Sequence, residues 1–311
     1  MSTKPINIVW LKRDLRTQDH QGFSCAENAN IDYRIVYFFE PNIIIYPDTS
    51  DRHLQFIYHS IKAINKTLAP FNRSVDVFYG SAEVIFEHLS SSFDIHHIYS
   101  YRESGTKTTW QRDKKVASFV KTNNICWKEF QRDGILRGIK NRIDWSKQWH
   151  SKMHTPVLQN NFSITSQKPL SHPFLLPEKL ELKLNDYSKY YQPAGEKNAW
   201  RYLKSFASQR GFNYQRHISK PMQSRMSCSR LSPYLSWGNM SIKQAFQFIG
   251  THPNRTRNSK PFSAMLTRLH WHCHFIQKFE MECRYETQCI NSGYEFLSHK
   301  KNKAFIKAWK T

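Results

Sequence analysis

The sequence predicts an α/β domain followed by an all-α domain, and three observations lead there. The first 130 residues alternate short β-branched or aromatic runs with amphipathic stretches. No run of strand character follows Glu196. A polar, proline-bearing stretch separates the two regions. At 311 residues the chain has length for about two domains and a substantial core.

Four runs have strand length and composition: Ile6 to Leu11, Tyr33 to Phe39, Ser74 to Tyr79 and Ile95 to Ser100. Between them, His53 to Leu68 places Leu54, Ile57, Ile61 and Ile64 at helical spacing. Ser81 can cap a helix carrying Val84, Ile85, His88 and Leu89, and Thr108 to Lys121 adds Trp110, Val116 and Val120. Near-continuously apolar strands alternating with helices imply a parallel sheet covered on both faces. With right-handed crossovers this is a Rossmann-like first domain, assigned to residues 1–130. Residues 131–195 are expected to be a connector: Asp144 to Asp186 holds Pro156, Pro169, Pro173 and Pro177 with little periodicity, and is expected to lie over the surface.

A helical domain is assigned to residues 196–311. Trp200, Leu203, Phe206 and Ala207 form one stripe; Ile242, Ala245, Phe246 and Ile249 form another behind Ser241 as cap. Pro261 to Arg284 is the longest helix expected, with Pro261 suited to a first turn. Its Trp271, Phe275 and Phe279 stand at i, i+4 and i+8, the spacing of a buried stripe.

The balance of 46 Lys and Arg against 24 Asp and Glu leaves a net charge of +22. That favours a polyanionic partner, nucleic acid before an anionic membrane surface, against a merely solubilising surface. No run approaches the roughly 20 apolar residues of a spanning helix. Six scattered cysteines without a CxxC pair, and an N-terminus without the apolar core of a signal peptide, predict a reduced, cytoplasmic chain. His270 and His274 share a helix face, but two imidazoles fall short of the about four ligands of a structural zinc site, even with Cys283 and Cys289 nearby, so no metal site is assigned.

Two segments could carry chemistry. In IVWLKRDLRTQDH a strand runs into a turn holding Lys12, Arg13, Asp14, Arg16 and Asp19, at the end of the sheet where open α/β folds bind ligands. It lacks GxGxxG, and a structural salt-bridge cluster is an equal alternative. In SCSRLSPYLSWGNMS, Ser227, Ser229 and Ser232 offer hydroxyls and amides before a helix start, with Arg230 between them; this suits a diphosphate, and an ordinary capped turn is the alternative.

These two segments, VWLKRDLR and SRLSPYLSWGNMS, resemble the DNA photolyase/cryptochrome family. Tyr214, the Trp271 helix and the terminal FIKAWKT agree in order, so the resemblance runs along the whole chain. It implies an α/β domain that often carries an antenna chromophore (folate, deazaflavin or other) and a helical FAD-binding domain, C-terminally shortened by roughly the last third. It also implies a monomer acting on ultraviolet-damaged DNA, in which reduced FAD excited by blue light donates an electron to a pyrimidine dimer. A cryptochrome photoreceptor without repair, and a non-catalytic basic DNA-binding module with an incomplete flavin site, are the alternatives; at this length the resemblance implies weak FAD binding or none, and no repair.

Carried over by motif, the flavin contacts are Tyr214, Cys228, Ser229, Arg230, Leu231, Ser232, Arg268, Trp271 and His272, with Trp271 also packing against the lesion as the catalytic candidate. Cys228 stands for the family's threonine, His272 for an arginine facing the FAD phosphates, and Arg268 where dimer-repairing members carry a glutamate. Arg225, Arg255, Arg257 and Lys260 are the candidate DNA phosphate contacts.

Overall fold

The computed structural model describes residues 4–298 and 300–310. The readings that rest on residues 1–3 and on Thr311 of FIKAWKT lie outside them.

Five parallel strands form one sheet in the order β3-β2-β1-β4-β5: β1 (Pro5–Leu11), β2 (Tyr33–Phe39), β3 (Val75–Tyr79), β4 (Asp94–Tyr101) and β5 (Cys126–Phe130). β1 is central, with Val9 opposite Ile35 on one side and Tyr99 on the other. Its alternation feeds two cores. Ile6, Ile8 and Trp10 pack with Phe38, Phe78 and Phe86 on one face. Val9 and Leu11 pack with Ile35, Phe39 and the helix Asp51–Leu68 on the other. The expected Rossmann-like layering is therefore present, with strand β5 and the short helix Gln21–Glu27 added. β5 escaped the sequence reading because it is an edge strand whose Cys126 and Lys128 face solvent.

The helix Asp51–Leu68 buries its predicted stripe behind a capping box between Ser50 and His53. In the helix Ala82–Ser92, Ser81 is the N-cap residue but its side chain makes no cap bond. Val84, expected inside, is 48% exposed; Ala82, Ile85, Phe86 and Leu89 carry the buried face instead.

The segment from Asp144 to Asp186 is not all connector. Trp145–Met153 is a helix whose Trp145, Trp149 and Met153 enter the core of the helical half, and Glu178–Asn185 is a second helix, held by Gln55 through the carbonyls of Lys183 and Asp186. Three large apolar residues at i, i+4 and i+8 among charged neighbours make only a narrow stripe, which hid the first helix. Residues 154–177 do drape over the sheet domain: Tyr79 N–H donates to the Phe174 carbonyl at 2.9 Å, and Arg73 Nε to that of Ser163 at 3.0 Å.

In the helical half, Glu196–Ser205 continues into a π turn, Phe206–Arg210, and Leu203, Phe206 and Ala207 are buried. Ser241 and Gln244 form the expected box on Ile242–Thr251. The long helix is Ser259–Met281, with Pro261 in its first turn and Arg284 beyond its end. Of the two readings of its aromatic positions, core packing does not hold for Trp271 and Phe275. Phe262, Met265, Leu269 and Cys273 are buried, while Trp271 and Phe275 are 44% and 62% exposed. No helix among the described residues is long and apolar enough to cross a membrane.

The two sequence motifs interlock. Leu15 N–H donates to the Trp237 carbonyl, Asn239 Nδ2 to that of Leu15, and Arg16 to that of Gly238. Ser241 Oγ donates to Asp19 at 2.6 Å, and Lys243 pairs with the same carboxylate at 2.8 Å. So the charged turn after β1 is the seam that fixes the helical half on the sheet.

Inside that turn, Phe23 N–H donates to His20 Nδ1, which leaves Nε2–H to donate to Asp14 at 2.7 Å. The ring is therefore neutral. Burial pushes the His20 pKa down against the pull of Asp14. Burial would raise the Asp14 carboxyl, but the His20 bond and charge, the Lys12 amide and Arg16 outweigh it and hold it low. Burial also lowers His59, His172, His270, His272 and His274. Below the ordinary histidine value of 6.5 the unfolded chain takes up protons that the folded one refuses. The urea midpoint is expected to be constant above about pH 6.5 and to fall steadily from there to pH 5; an unchanged midpoint over that interval would contradict the buried neutral rings.

Candidate functional site

The helix Pro221–Ser227 ends at Cys228, and the chain turns through Ser229, Arg230 and Leu231 before Ser232–Ser236. The turn is made by Arg230 at φ 58°, a left-handed conformation rare for arginine, followed by Leu231 in the right-handed region. Such a left–right pair points successive N–H groups into one concavity, a backbone nest for anions. Among the described residues, none of the N–H groups of Ser229, Arg230, Leu231 and Ser232 donates to a protein acceptor. The carbonyls face the other way: Arg210 takes those of Cys228 and Ser229, and Gln192 Nε2 donates to that of Arg230 at 2.7 Å. Leu231 is buried and anchors the turn in the helical core.

The structure brings Tyr214, Cys228, Arg268 and Trp271 together. The Arg268 guanidinium lies beside the Tyr214 hydroxyl and 4.5 Å from the Trp271 ring centroid. Burial pushes the Cys228 thiol up, against Arg210 and Arg268, so it offers a neutral S–H. Tyr214 is likewise raised by burial and by Cys228. Trp271 and Phe275 are both exposed. His272 does not join it: its neighbours are Asp133 and Arg132, and its Nε2 is buried without a partner. Burial keeps it neutral, with Asp133 opposing. Nor does the Arg230 side chain join it, since its Nε donates to Gln192 at 3.3 Å. Gln192 and Arg210 gave no signal in the sequence; only the fold brings them to the loop.

His270 stacks on His150 and contacts Trp145 and Trp149, while Arg142 lies against His274. Among the described residues no three His, Cys, Asp or Glu side chains gather as metal ligands. Of the candidate DNA contacts, Arg255 donates to the Gly250 carbonyl at 2.7 Å.

A second concavity, of about 180 Å³, opens at the carboxyl ends of β1 and β2. Trp10, Tyr37, Phe39, Leu54 and Trp237 make its apolar lining. Its charged wall is a buried network. Arg112 reaches Glu40 at 2.9 Å, Glu103 at 2.7 Å and Asp113 at 2.8 Å, and Arg13 bonds Glu103 at 2.7 Å.

Residues 7–156 match the family model for DNA photolyase. The deoxyribodipyrimidine photo-lyase of Buchnera aphidicola subsp. Acyrthosiphon pisum is 24% identical over 282 residues, covering 84% of this chain and 56% of the relative. That of Vibrio cholerae serotype O1 is 20% identical over 291 residues, covering 86% and 60%. The chain thus spans about three-fifths of the length of these curated relatives. Among solved structures, a class III photolyase from Agrobacterium tumefaciens superposes with a TM-score of 0.79 at 19% identity, covering 99% of this chain and 66% of that one. The Synechocystis cryptochrome gives 0.78 at 15%, covering 99% and 68%. An archaeal photolyase from Sulfolobus tokodaii with two FAD molecules gives 0.74 at 19%, covering 98% and 66%.

Proposed function

We propose that this chain, which its family match, curated relatives and structural neighbours support as a photolyase/cryptochrome member, binds FAD in the helical half and acts on pyrimidine dimers in DNA. The observation that carries the reading is the run of four unpaired N–H groups at Ser229 to Ser232, a fit for a diphosphate. Bound there, the flavin supplies light-driven electron transfer. The chain's own part is to hold the diphosphate on the loop, to set Tyr214, Cys228 and Arg268 beside it, and to offer the exposed Trp271 to an unstacked base. Trp271 is the proposed catalytic residue. Arg132, on the far side of the helix that follows the loop, holds the carbonyls of Leu235 and Ser236, and His272 stays apart from the loop beside Asp133. The net charge of +22 supports DNA as partner. The cavity over β1 and β2 suits a planar antenna chromophore: folate, deazaflavin or another. Arg268, a cation stacked on Trp271 at the position where the motif resemblance implies a glutamate for repair, favours a second reading, a cryptochrome-type photoreceptor without repair.

Two substitutions test the loop. Arg230→Gly keeps the left-handed turn and its N–H nest, so FAD affinity is expected within about twofold of the parent chain. Arg230→Val disfavours that turn, and the loss of one charge-assisted bond, about 1.5–3 kcal/mol, weakens FAD at least tenfold. Equal affinities in the two variants, read by flavin fluorescence, would remove the nest from the account.

A further inference from the structure

We infer that the cleft between residues 187–193 and Arg225 to Arg230 is a nucleic-acid contact separate from the flavin site, one that takes an unpaired strand through both its phosphates and its bases. The inference stands on this cleft and does not rest on the flavin reading.

The cleft, about 420 Å³, is lined by Lys189, Arg201, Arg225 and Arg230 with no carboxylate among its walls. Among the described residues none of these four cations forms an ion pair. Tyr187, Tyr190, Tyr191 and Tyr202 complete it, and Tyr190 is 79% exposed. Three guanidiniums crowd one ring: Arg201, Arg210 and Arg230 lie 5.6, 5.8 and 5.9 Å from the Tyr202 centroid. Arg52 lies 4.6 Å from that of Tyr191. Arg210 lies behind the wall, held by the carbonyls of Tyr202, Cys228 and Ser229, and burial, then the nearby Arg230, push its pKa down.

Backbone and side chain of Arg230 serve different faces. Its left-handed φ aims its N–H into the nest, while Gln192 clasps it twice, accepting from Nε and donating to its carbonyl. The terminal nitrogens are thereby held toward the cleft wall that Arg230 lines. Of the flavin candidates only Arg230 belongs to this lining. Unpaired cations alone would suit any anion. The exposed Tyr190 ring beside them suits a base that is not already stacked, which a duplex conceals.

The test is binding of a fluorescein-labelled oligo-dT of about eight nucleotides to the full chain, followed by anisotropy. Arg201→Ala/Arg225→Ala is expected to weaken binding about tenfold and to lower the slope of log K against log salt by about 1.4, the value for two phosphates of a single strand. Tyr190→Ser, at an exposed position that folding does not need, is expected to weaken it about fivefold with the slope unchanged. FAD affinity should be equal in all three proteins, and a matched duplex should lose less than about threefold. The inference is overturned by retained oligo-dT affinity, by an equal loss for the duplex, or by inorganic pyrophosphate competing as well as oligo-dT per phosphate. A parallel loss of FAD would assign the cleft to the cofactor and overturn it too.

Discussion

Replacing Arg112 by methionine is expected to lower folding stability by about 3–5 kcal/mol, because it leaves buried carboxylates without their cation. Arg112 is buried under Trp10, and its three nitrogens reach Glu40, Glu103 and Asp113. Burial pushes the Glu40 carboxyl up, with Arg112 opposing. Burial would raise Glu103 too, but Arg112, Arg13 and Lys12 outweigh it and hold it far below the usual range. Without Arg112 the Glu40 carboxyl, already pushed up by burial, rises further above its unfolded value. Stability of the variant is then lost as pH rises through that folded value, so its deficit should be larger at pH 8 than at pH 5. Urea denaturation of both proteins at both pH values reads this. A deficit under about 1 kcal/mol, the worth of an exposed pair, would mean that the network is solvated.

The second large effect is expected at Gly238, where alanine should cost about 2–5 kcal/mol. Gly238 has φ +71°, and a Cβ there would stand 2.2 Å from the Arg13 carbonyl oxygen and 2.6 Å from Asp14 Cα. Both obstacles are backbone of the turn after β1, so neither can swing aside. The damage falls on the seam between sheet and helices, where Leu15, Arg16 and Asp19 meet Trp237 to Ser241. Thermal unfolding should therefore become broader or biphasic as well as earlier. A Gly238→Ala protein with the parent's midpoint would show that the two motifs are not locked together.

That seam explains why VWLKRDLR and SWGNMS were legible as motifs yet ambiguous as chemistry. Each is half of one contact, and a single sequence does not say which halves meet. The charged turn resolved into structure, its Asp14, His20 and Arg16 fully committed to partners. The sheet was readable because β1 to β4 are buried on both faces, whereas β5 at the edge has the composition of a loop. The long helix was readable in extent but not in orientation. Phe262, Met265 and Leu269 make as good a stripe as Trp271 and Phe275, and only packing against Phe206 and Ile249 chooses between them. At the site, Cys228 to Ser232 could be located from the sequence. The property that matters there, consecutive N–H groups turned outward by a left-handed arginine, is a backbone conformation that residue identity does not announce. His272 is placed by the same kind of conformational detail. One residue of helix separates it from Trp271, and about 100° of rotation carries it toward Asp133.

The most direct test of the account is a titration of the purified chain with FAD and, separately, with riboflavin, which carries the same ring system but no phosphate. The account predicts that FAD binds at least about tenfold more tightly than riboflavin, the worth of one charge-assisted hydrogen bond from the Ser229 to Ser232 loop. It also predicts that this preference collapses in the Arg230→Val protein. Equal affinities for the two flavins, or a preference that Arg230→Val leaves intact, would contradict the claim that this loop is a diphosphate site.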